Sequence, residues 1–186
     1  AVDEAHCISS WGHDFRPEYR QLAQLLEPLK APRMALTATA TPQVADDVCD
    51  QLKLNNPLRV VAPVHRANLT LSCVPRHDRR PQIERLLDVR RGQCGIVYCR
   101  RRKDTEELAA YFDKQGHRCA PFHAGLAATT KRNTLAAFMQ DRLDVVFATI
   151  AFGMGIDRPD VRFVIHASMP SSIEAYVQEA GRAGRD

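Results

Sequence analysis

The 186-residue sequence lacks the features of a membrane, secreted or metal-thiolate protein. No uncharged stretch exceeds 12 residues, the length of 145–156, whereas a membrane-spanning helix needs roughly 20 apolar residues. The N-terminal residues have no basic region followed by an apolar core, so they do not predict a signal peptide. The six cysteines form no C-x-x-C pair, and the nearest approach to ligand spacing is His117-x-Cys119. We therefore expect buried thiols, no zinc, no membrane partner and a reduced, cytoplasmic setting.

Charge and composition are equally unremarkable and exclude further classes. Lys and Arg number 26 against 22 Asp and Glu, and the resulting net charge of +4 favours a polyanionic partner only weakly. The 45% hydrophobic and 26% charged residues are typical of a globular chain with a core. No repeat of 20 to 50 residues is visible, which excludes a solenoid.

Apolar patterning predicts an α/β fold with parallel sheets. Four segments carry apolar residues at helical spacing, namely 22–29, 44–52, 83–87 and 135–139. Thr41-Pro42 and Ser171-x-x-Glu174 predict two helix starts. Between these segments lie the predicted strands, 33–37, 58–61, 69–74, 95–99, 118–123, 144–149 and 161–166. Alternating strands and helices favour a parallel sheet.

One stretch interrupts this alternation. Residues 63–68 contain a proline and no apolar periodicity, so they predict a linker. Residues 1–62 are then the back half of one α/β lobe, and residues 69–186 form most of a second.

The first part of the chain has two candidate chemical segments. Asp3-Glu4 follows Ala1-Val2, where a strand would end, and such a carboxylate pair can hold Mg²⁺ and polarise a water. Without other evidence, the simpler interpretation of this Asp-Glu pair is two solvated carboxylates in a loop. Thr37 and Thr39 are small hydroxyl residues suited to a phosphate site, although they also fit a helix N-cap cluster.

The second part has two more candidates. Residues 148–157 place Gly153 and Gly155 in a turn after a strand, where a backbone or nucleotide can approach closely. Arg182 and Arg185 stand among small residues, and guanidinium forks suit phosphate oxygens. The alternative for the arginines is a basic helix end near the dipole's negative terminus.

In this order the segments resemble the motifs of superfamily two helicases, and they most closely resemble those of the RecQ-type DNA helicases. The matching segments are 3–6 (Asp-Glu-Ala-His), 7–20, 36–41, 96–99, 123–125, 148–157 and 176–186. The resemblance implies two RecA-like parallel-sheet lobes, the first incomplete at its N-terminal side, with ATP and Mg²⁺ between them. It also implies single-stranded and partly duplex DNA as the partner, 3′-to-5′ movement, and a role in DNA repair or recombination.

By this resemblance, Asp3 holds Mg²⁺, Glu4 activates the attacking water, and His6, Thr37 and Thr39 couple the nucleotide and DNA sites. A second set contacts DNA: Trp11, Phe15, Arg16 and Thr149. An aromatic and basic loop suits base stacking and phosphate contact, although a hydrophobic plug under the loop is an alternative for Trp11 and Phe15.

The remaining implied residues belong to the second lobe. Gly153, Gly155 and Asp157 bind nucleotide, and Gln178, Arg182 and Arg185 complete the catalytic site. Arg185 is the arginine finger, with Arg182 as the fallback.

The sequence departs from the family pattern in three respects. None of the nine glycines is followed by Lys, so the phosphate-binding loop G-x-x-x-x-G-K-[ST] is missing and the chain alone is expected to be inactive. Ser10 stands where family members often have Gln, and Ala67 where Pro is common. Two alternatives remain: a DEAH-type RNA helicase, which the 11–20 loop and Thr37-Ala-Thr39 disfavour, and a truncated, non-hydrolysing nucleic-acid-binding module.

Overall fold

The computed structural model describes residues 1–12, 14–29, 31–63, 65–75, 77–153 and 158–185. The chain divides into two compact units, which we describe separately. Unit 1 comprises Ala1–Val64 and Ser172–Gln178, and unit 2 comprises His65–Ser171 and Glu179–Asp186. The domain limits expected from the sequence, 1–62 and 69–186 around a 63–68 linker, stay a prediction. Within the described ranges, no helix has the length and apolar character needed to cross a membrane.

The Ala1–Val64 part of unit 1 is built on two 3₁₀ turns and two helices. The turns are Ala5–Ile8 and Pro17–Gln21, and the helices are α1, Leu22–Leu26, and α2, Pro42–Gln51. Val44, Val48 and Leu52 recur every fourth residue and pack against the buried Ala5 and Ile8.

The start of α2 is as predicted from the sequence. The Thr41 hydroxyl accepts a hydrogen bond from the Val44 amide at 3.3 Å, and Pro42 opens the helix, where a missing N–H costs nothing. The predicted helix at 22–29 is shorter than expected. Of these residues only Leu22–Leu26 is α-helical, and Leu25 and Leu29 are exposed.

Two predicted strands of unit 1 do not form. Ala35 makes one isolated parallel bridge with Val2, and residues 58–61 carry no strand. In unit 2 the predicted strand at 69–74 is also absent. These predictions were wrong because apolar sequence supplies only propensity, whereas a strand also needs a neighbour that receives its backbone hydrogen bonds. Four of the side chains concerned are left strongly exposed: Leu58, Val60, Val61 and Leu71.

Unit 2 contains a four-stranded parallel sheet in the order β2-β3-β1-β4. The strands are β1, Gly95–Tyr98; β2, Cys119–Phe122; β3, Val145–Ala148; and β4, Phe163–His166. Gly95 is in register with Val145 on one side and Phe163 on the other. The central strands β1 and β3 are buried at every position, as expected of a parallel sheet covered on both faces. The predicted α/β class and these four strands are confirmed.

Helices of unit 2 supply the rest of its core. They are α3, Arg79–Val89; α4, Arg102–Lys114; and α5, Ala128–Met139. Phe112 of α4 packs in one cluster with Val97, whereas Phe138 of α5 packs in another with Ile96. Because neighbouring strand residues point to opposite faces, Ile96 and Val97 belong to different clusters. The sequence reasoning overlooked α4, although Leu108 and Phe112 are four residues apart.

A last helix, α6, spans Ile173–Ala180. Its first turn is capped by Ser172, whose hydroxyl accepts a hydrogen bond from the Ala175 amide at 3.1 Å. The sequence correctly predicted a helix start here but chose Ser171 as the cap, one residue too early. The reason is that both serines precede the apolar run, and only backbone geometry decides which one caps it.

Candidate active site

The two N-terminal carboxylates lie at the carboxyl end of the Val2–Ala35 bridge. The Ala5 amide donates to the Leu36 carbonyl at 2.9 Å, so Asp3 and Glu4 form the turn that leaves this pairing. Glu4 has a left-handed backbone, with φ 49° and ψ 40°, a conformation that is strained for any residue with a Cβ. The Glu4 side chain is 43% exposed and Asp3 is also exposed, so both carboxylates are accessible to a solvated ion or a water.

His6 connects this turn to the threonine segment. Its ring is 2% exposed, with Nδ1 2.8 Å from Thr37 Oγ1 and 3.4 Å from Glu4 Oε2. Thr37 Oγ1 donates its own proton to the Thr39 carbonyl at 3.1 Å. When His6 carries its proton on Nδ1, Thr37 Oγ1 accepts a hydrogen bond from it. The predicted coupling residues are thus joined by hydrogen bonds and lie beside Glu4, which is within ion-pair distance of His6, although their coupling role stays a prediction.

The aromatic segment of unit 1 presents its rings to solvent. Trp11 is 68% exposed and Phe15 is 36% exposed, and the guanidinium of Arg20 lies 5.0 Å from the centre of the Phe15 ring. A hydrophobic plug would have a buried ring, so the exposure of Trp11 disfavours that alternative for this residue. Arg16 donates to Asp14 at 2.6 Å, and this bond holds the pKa of the Asp14 carboxyl below its usual range.

In unit 2 the residue pair with the clearest geometry is Gly153 and Arg182. A Cβ built on Gly153 would lie 2.7 Å from Arg182 Nη2, so only glycine leaves room for the guanidinium in this position. Arg182 Nε is buried and has no hydrogen-bond partner within the described residues. A buried, unsatisfied donor is costly, and such a donor marks a place where an anion would be stabilised.

Tyr98 lies near this arginine, and His166 and Glu179 are connected to Tyr98; none of the three was predicted as a site residue. The Tyr98 hydroxyl donates to the Phe152 carbonyl at 2.8 Å, and burial raises the pKa of Tyr98 to about 12, an effect that the positive charge of Arg182 opposes. The ring of Tyr98 stacks on His166, which pairs with Glu179 at 2.8 Å. Elements far apart in the sequence supply these residues, so no local pattern could reveal the group.

The other predicted residues have varied positions. Arg185 is exposed, and its Nε donates to the Gly181 carbonyl at 3.4 Å. Thr149 follows β3, and its amide donates to the Phe122 carbonyl at 3.1 Å. Gln178 is half-buried near the end of α6. The predictions for Gly155 and Asp157 fall outside the described residues.

Comparison with known proteins gives the family. The sequence model of the helicase conserved C-terminal domain matches residues 78–186. The RecQ-like DNA helicase blm-1 of Caenorhabditis elegans is 45% identical over 190 residues, covering 100% of this chain and 19% of that protein. The ATP-dependent DNA helicase RecQ of Bacillus subtilis is 45% identical over 188 residues, covering 100% of this chain and 32% of that protein. The chain thus spans a third or less of the length of these relatives.

A solved structure supports the same fold. Dbp5 of Saccharomyces cerevisiae, bound to RNA and ADP BeF3, superimposes with a TM-score of 0.76 at 18% identity over 98% of this chain and 49% of that one. At this identity the likeness concerns the fold alone, and it confirms the RecA-like α/β architecture. The chain therefore belongs to the helicase conserved C-terminal domain family and, within superfamily two, to the RecQ family.

Proposed function

We propose that this chain is the central part of an ATP-dependent DNA helicase that moves 3′ to 5′ on single-stranded DNA and unwinds duplexes in DNA repair and recombination. The observation that carries the proposal is 45% identity to RecQ-type DNA helicases along the whole chain. Because the identity covers the whole chain, it includes unit 1 as well as the region matched by the family model.

The residues of unit 1 suit a magnesium nucleotide. Asp3 and Glu4 offer exposed carboxylate oxygens, the ligand type that Mg²⁺ prefers. Asp3 would hold the ion, which when bound neutralises phosphate charge. Glu4 would orient the attacking water and accept its proton, and His6 would pass changes at Glu4 to Thr37 through the 2.8 Å bond.

Unit 2 would contribute positive charge. Arg182 suits contact with a phosphate oxygen, because its buried Nε has a donor to offer. Arg185 would act on the charge that grows during phosphoryl transfer, and Gln178 would help position the nucleotide. Thr149, at the end of β3, would contact the DNA backbone together with Arg16.

Exposed aromatics favour single-stranded DNA as the partner of unit 1. Base stacking on an aromatic ring contributes about 1–3 kcal/mol per base and does not depend on the sequence of bases. Trp11 and Phe15 offer such rings beside basic side chains. We propose a cytoplasmic protein that acts on DNA, with no membrane partner.

The test compares ATP hydrolysis by this chain and by the complete helicase, each without nucleic acid, with single-stranded DNA and with RNA. We expect background turnover from the chain alone, because it has no G-x-x-x-x-G-K loop to position phosphates. The complete protein should respond to DNA more than to RNA. A stronger response to RNA would favour the DEAH-type RNA helicase, and nucleic-acid binding without hydrolysis would favour the binding module. DNA-stimulated turnover by the chain alone would contradict the argument from the missing loop.

A further inference from the structure

Three side chains of unit 1 bring metal-ligand atoms together at a place with no assigned metal. One nitrogen of His6, the sulfur of Cys7 and one carboxylate oxygen of Asp14 all lie within 4.8 Å of one another. Cys7 Sγ is 3.6 Å from His6 Nε2 and 3.7 Å from Asp14 Oδ2. His6 and Cys7 are buried whereas Asp14 is exposed, so the cluster is open to solvent on the Asp14 side.

These separations fit a tetrahedral ion without large movement. With metal–sulfur and metal–nitrogen bonds of about 2.3 and 2.0 Å, tetrahedral geometry separates neighbouring ligand atoms by about 3.5 Å. The observed distances of 3.6 and 3.7 Å are close to this value. The third pair, a His6 nitrogen and an Asp14 oxygen, lies within 4.8 Å, so the exposed Asp14 side chain would close the remaining gap when an ion binds.

The two ring nitrogens of His6 have different neighbours. Nδ1 is 2.8 Å from Thr37 Oγ1 and Nε2 faces Cys7 Sγ at 3.6 Å, so Nε2 is the nitrogen that would bind an ion in the tautomer with its proton on Nδ1. A second hydrogen bond that fixes the ring in this way is the usual arrangement for a metal-binding histidine. Thr37 would thus orient His6 without touching the ion.

The local charges favour a cation, and one of them competes with it. Burial raises the pKa of the Cys7 thiol to about 11; the nearby Arg16 charge opposes this effect, whereas the Asp14 and Glu4 carboxylates add to it and would attract a cation. Arg16 occupies the same Asp14 oxygen, Oδ2, that faces the sulfur. Binding an ion would therefore shift Arg16 away from Oδ2.

We propose that His6, Cys7 and Asp14 form a binding site for a thiophilic divalent cation such as Zn²⁺ or Cd²⁺, with water as the fourth ligand. On binding, the Cys7 S–H bond breaks, the proton passes to solvent and a metal–sulfur bond forms, with no change in oxidation state. The site does not depend on the proposed helicase function. It also differs from the sequence expectation of no zinc, which considered only paired Cys or His spacings.

An occupied site would restrict the aromatic segment. Asp14 lies between Trp11 and Phe15 in the sequence, and a bound ion would tie it to the buried turn that contains His6. Such a cross-link would hold the exposed rings in one arrangement relative to the carboxylates of Asp3 and Glu4.

The experiment is a Cd²⁺ titration of the purified chain, followed by the ultraviolet sulfur-to-cadmium charge-transfer band, with Zn²⁺ as competitor. We expect the band to saturate at one equivalent and to disappear when Zn²⁺ is added. The variant Cys7→Ser should lose the band. Asp14→Asn should keep it but weaken Cd²⁺ binding at least tenfold, since one ligand is lost.

The controls address folding and the other thiols. Cys73→Ser removes an exposed thiol outside the cluster and should leave the titration unchanged. Cys7→Ser alters a buried position, so circular dichroism must show that it folds, whereas Asp14→Asn changes an exposed residue and tests the site even if Cys7→Ser does not fold. The proposal is overturned if no band forms, if Cys73→Ser removes it, or if Asp14→Asn binds Cd²⁺ as tightly as the unaltered chain.

Discussion

The two arginines of the 178–186 segment differ in their exposure to solvent, and this difference favours different roles in ATP hydrolysis. Arg182 is half-buried beside Gly153 and Tyr98, so its position is fixed by packing. Arg185 is exposed and contacts a backbone carbonyl at its own end of the chain. A fixed arginine can bind a ground-state phosphate, whereas an arginine finger must act on charge that exists only during transfer.

In the complete helicase, Arg185→Ala should therefore lower single-turnover ATP hydrolysis about 10³- to 10⁵-fold, or roughly 4 to 7 kcal/mol, with nucleotide affinity nearly unchanged. Arg182→Ala is the matched comparison and should weaken nucleotide binding as well as turnover. Rapid-quench kinetics and nucleotide titration measure both effects. An unaltered rate in Arg185→Ala would exclude it as the finger and transfer that role to Arg182.

Trp11 is a second residue whose exposure leads to a distinct expectation. Because the ring is 68% exposed, its removal leaves no cavity and should not change the melting temperature. In the complete helicase, Trp11→Ala should keep basal ATPase and most DNA binding, since one stacking contact contributes about 1–3 kcal/mol. It should lose much of the DNA stimulation and nearly all unwinding.

The measurements for Trp11 are melting temperature, DNA affinity, and ATPase with and without single-stranded DNA. The variant Trp11→Phe keeps a ring and should retain part of the stimulation. A lower melting temperature with normal stimulation per folded molecule would instead assign Trp11 a structural task.

At the scale of elements, sequence pattern succeeded where a segment's environment is set locally. The four strands of unit 2 were predicted because each is a short apolar run in a parallel sheet, whose central strands β1 and β3 are buried at every position. The runs at 58–61 and 69–74 have similar composition but pair with no strand among the residues that the structure describes, and composition alone cannot reveal a partner strand.

In the candidate site, too, sequence motifs predicted some residues, whereas others depend on contacts between distant segments. The family motifs located Glu4, His6 and Thr37, and the structure brings them together. His6 lies 3.4 Å from Glu4 and is hydrogen-bonded to Thr37, which is 31 residues away in the sequence. Tyr98, His166 and Glu179 were missed because their grouping depends on the packing of β1, β4 and α6. Motifs identify residues one by one, whereas a network of contacts requires the fold.

The cap of α6 allows a direct test at this scale. Only Ser172 accepts a hydrogen bond from the first turn in the described structure, so Ser172→Ala should cost about 0.5–2 kcal/mol of unfolding free energy. Ser171→Ala is the matched control and should stay within about 0.5 kcal/mol of the unaltered chain. Urea denaturation measures both; equal effects of the two changes would show that the hydroxyl of Ser172 does not stabilise the helix.

At the scale of the whole molecule, the buried cysteine thiols should make the stability of the fold depend on pH. Cys94, Cys99 and Cys119 are buried in unit 2, and burial raises the pKa of each from 9.0 to about 12. In the unfolded chain they would ionise near the ordinary value. The folded state thus holds more protons between these two values, and its stability must fall as the pH rises through that range.

The free energy of unfolding of unit 2 should therefore fall gradually above about pH 9, because the unfolded chain loses thiol protons that the folded chain keeps. Between pH 8 and 10 we expect a loss on the order of 1 kcal/mol per buried thiol, measured as a lower urea midpoint with an unchanged slope. Tyr98, whose pKa burial raises to about 12, adds to the loss above pH 10. Cys73→Ser removes an exposed thiol and should show the same fall. A constant midpoint from pH 8 to 10 would mean that these thiols ionise as easily in the folded chain as in the unfolded one, which their burial against the sheet does not allow.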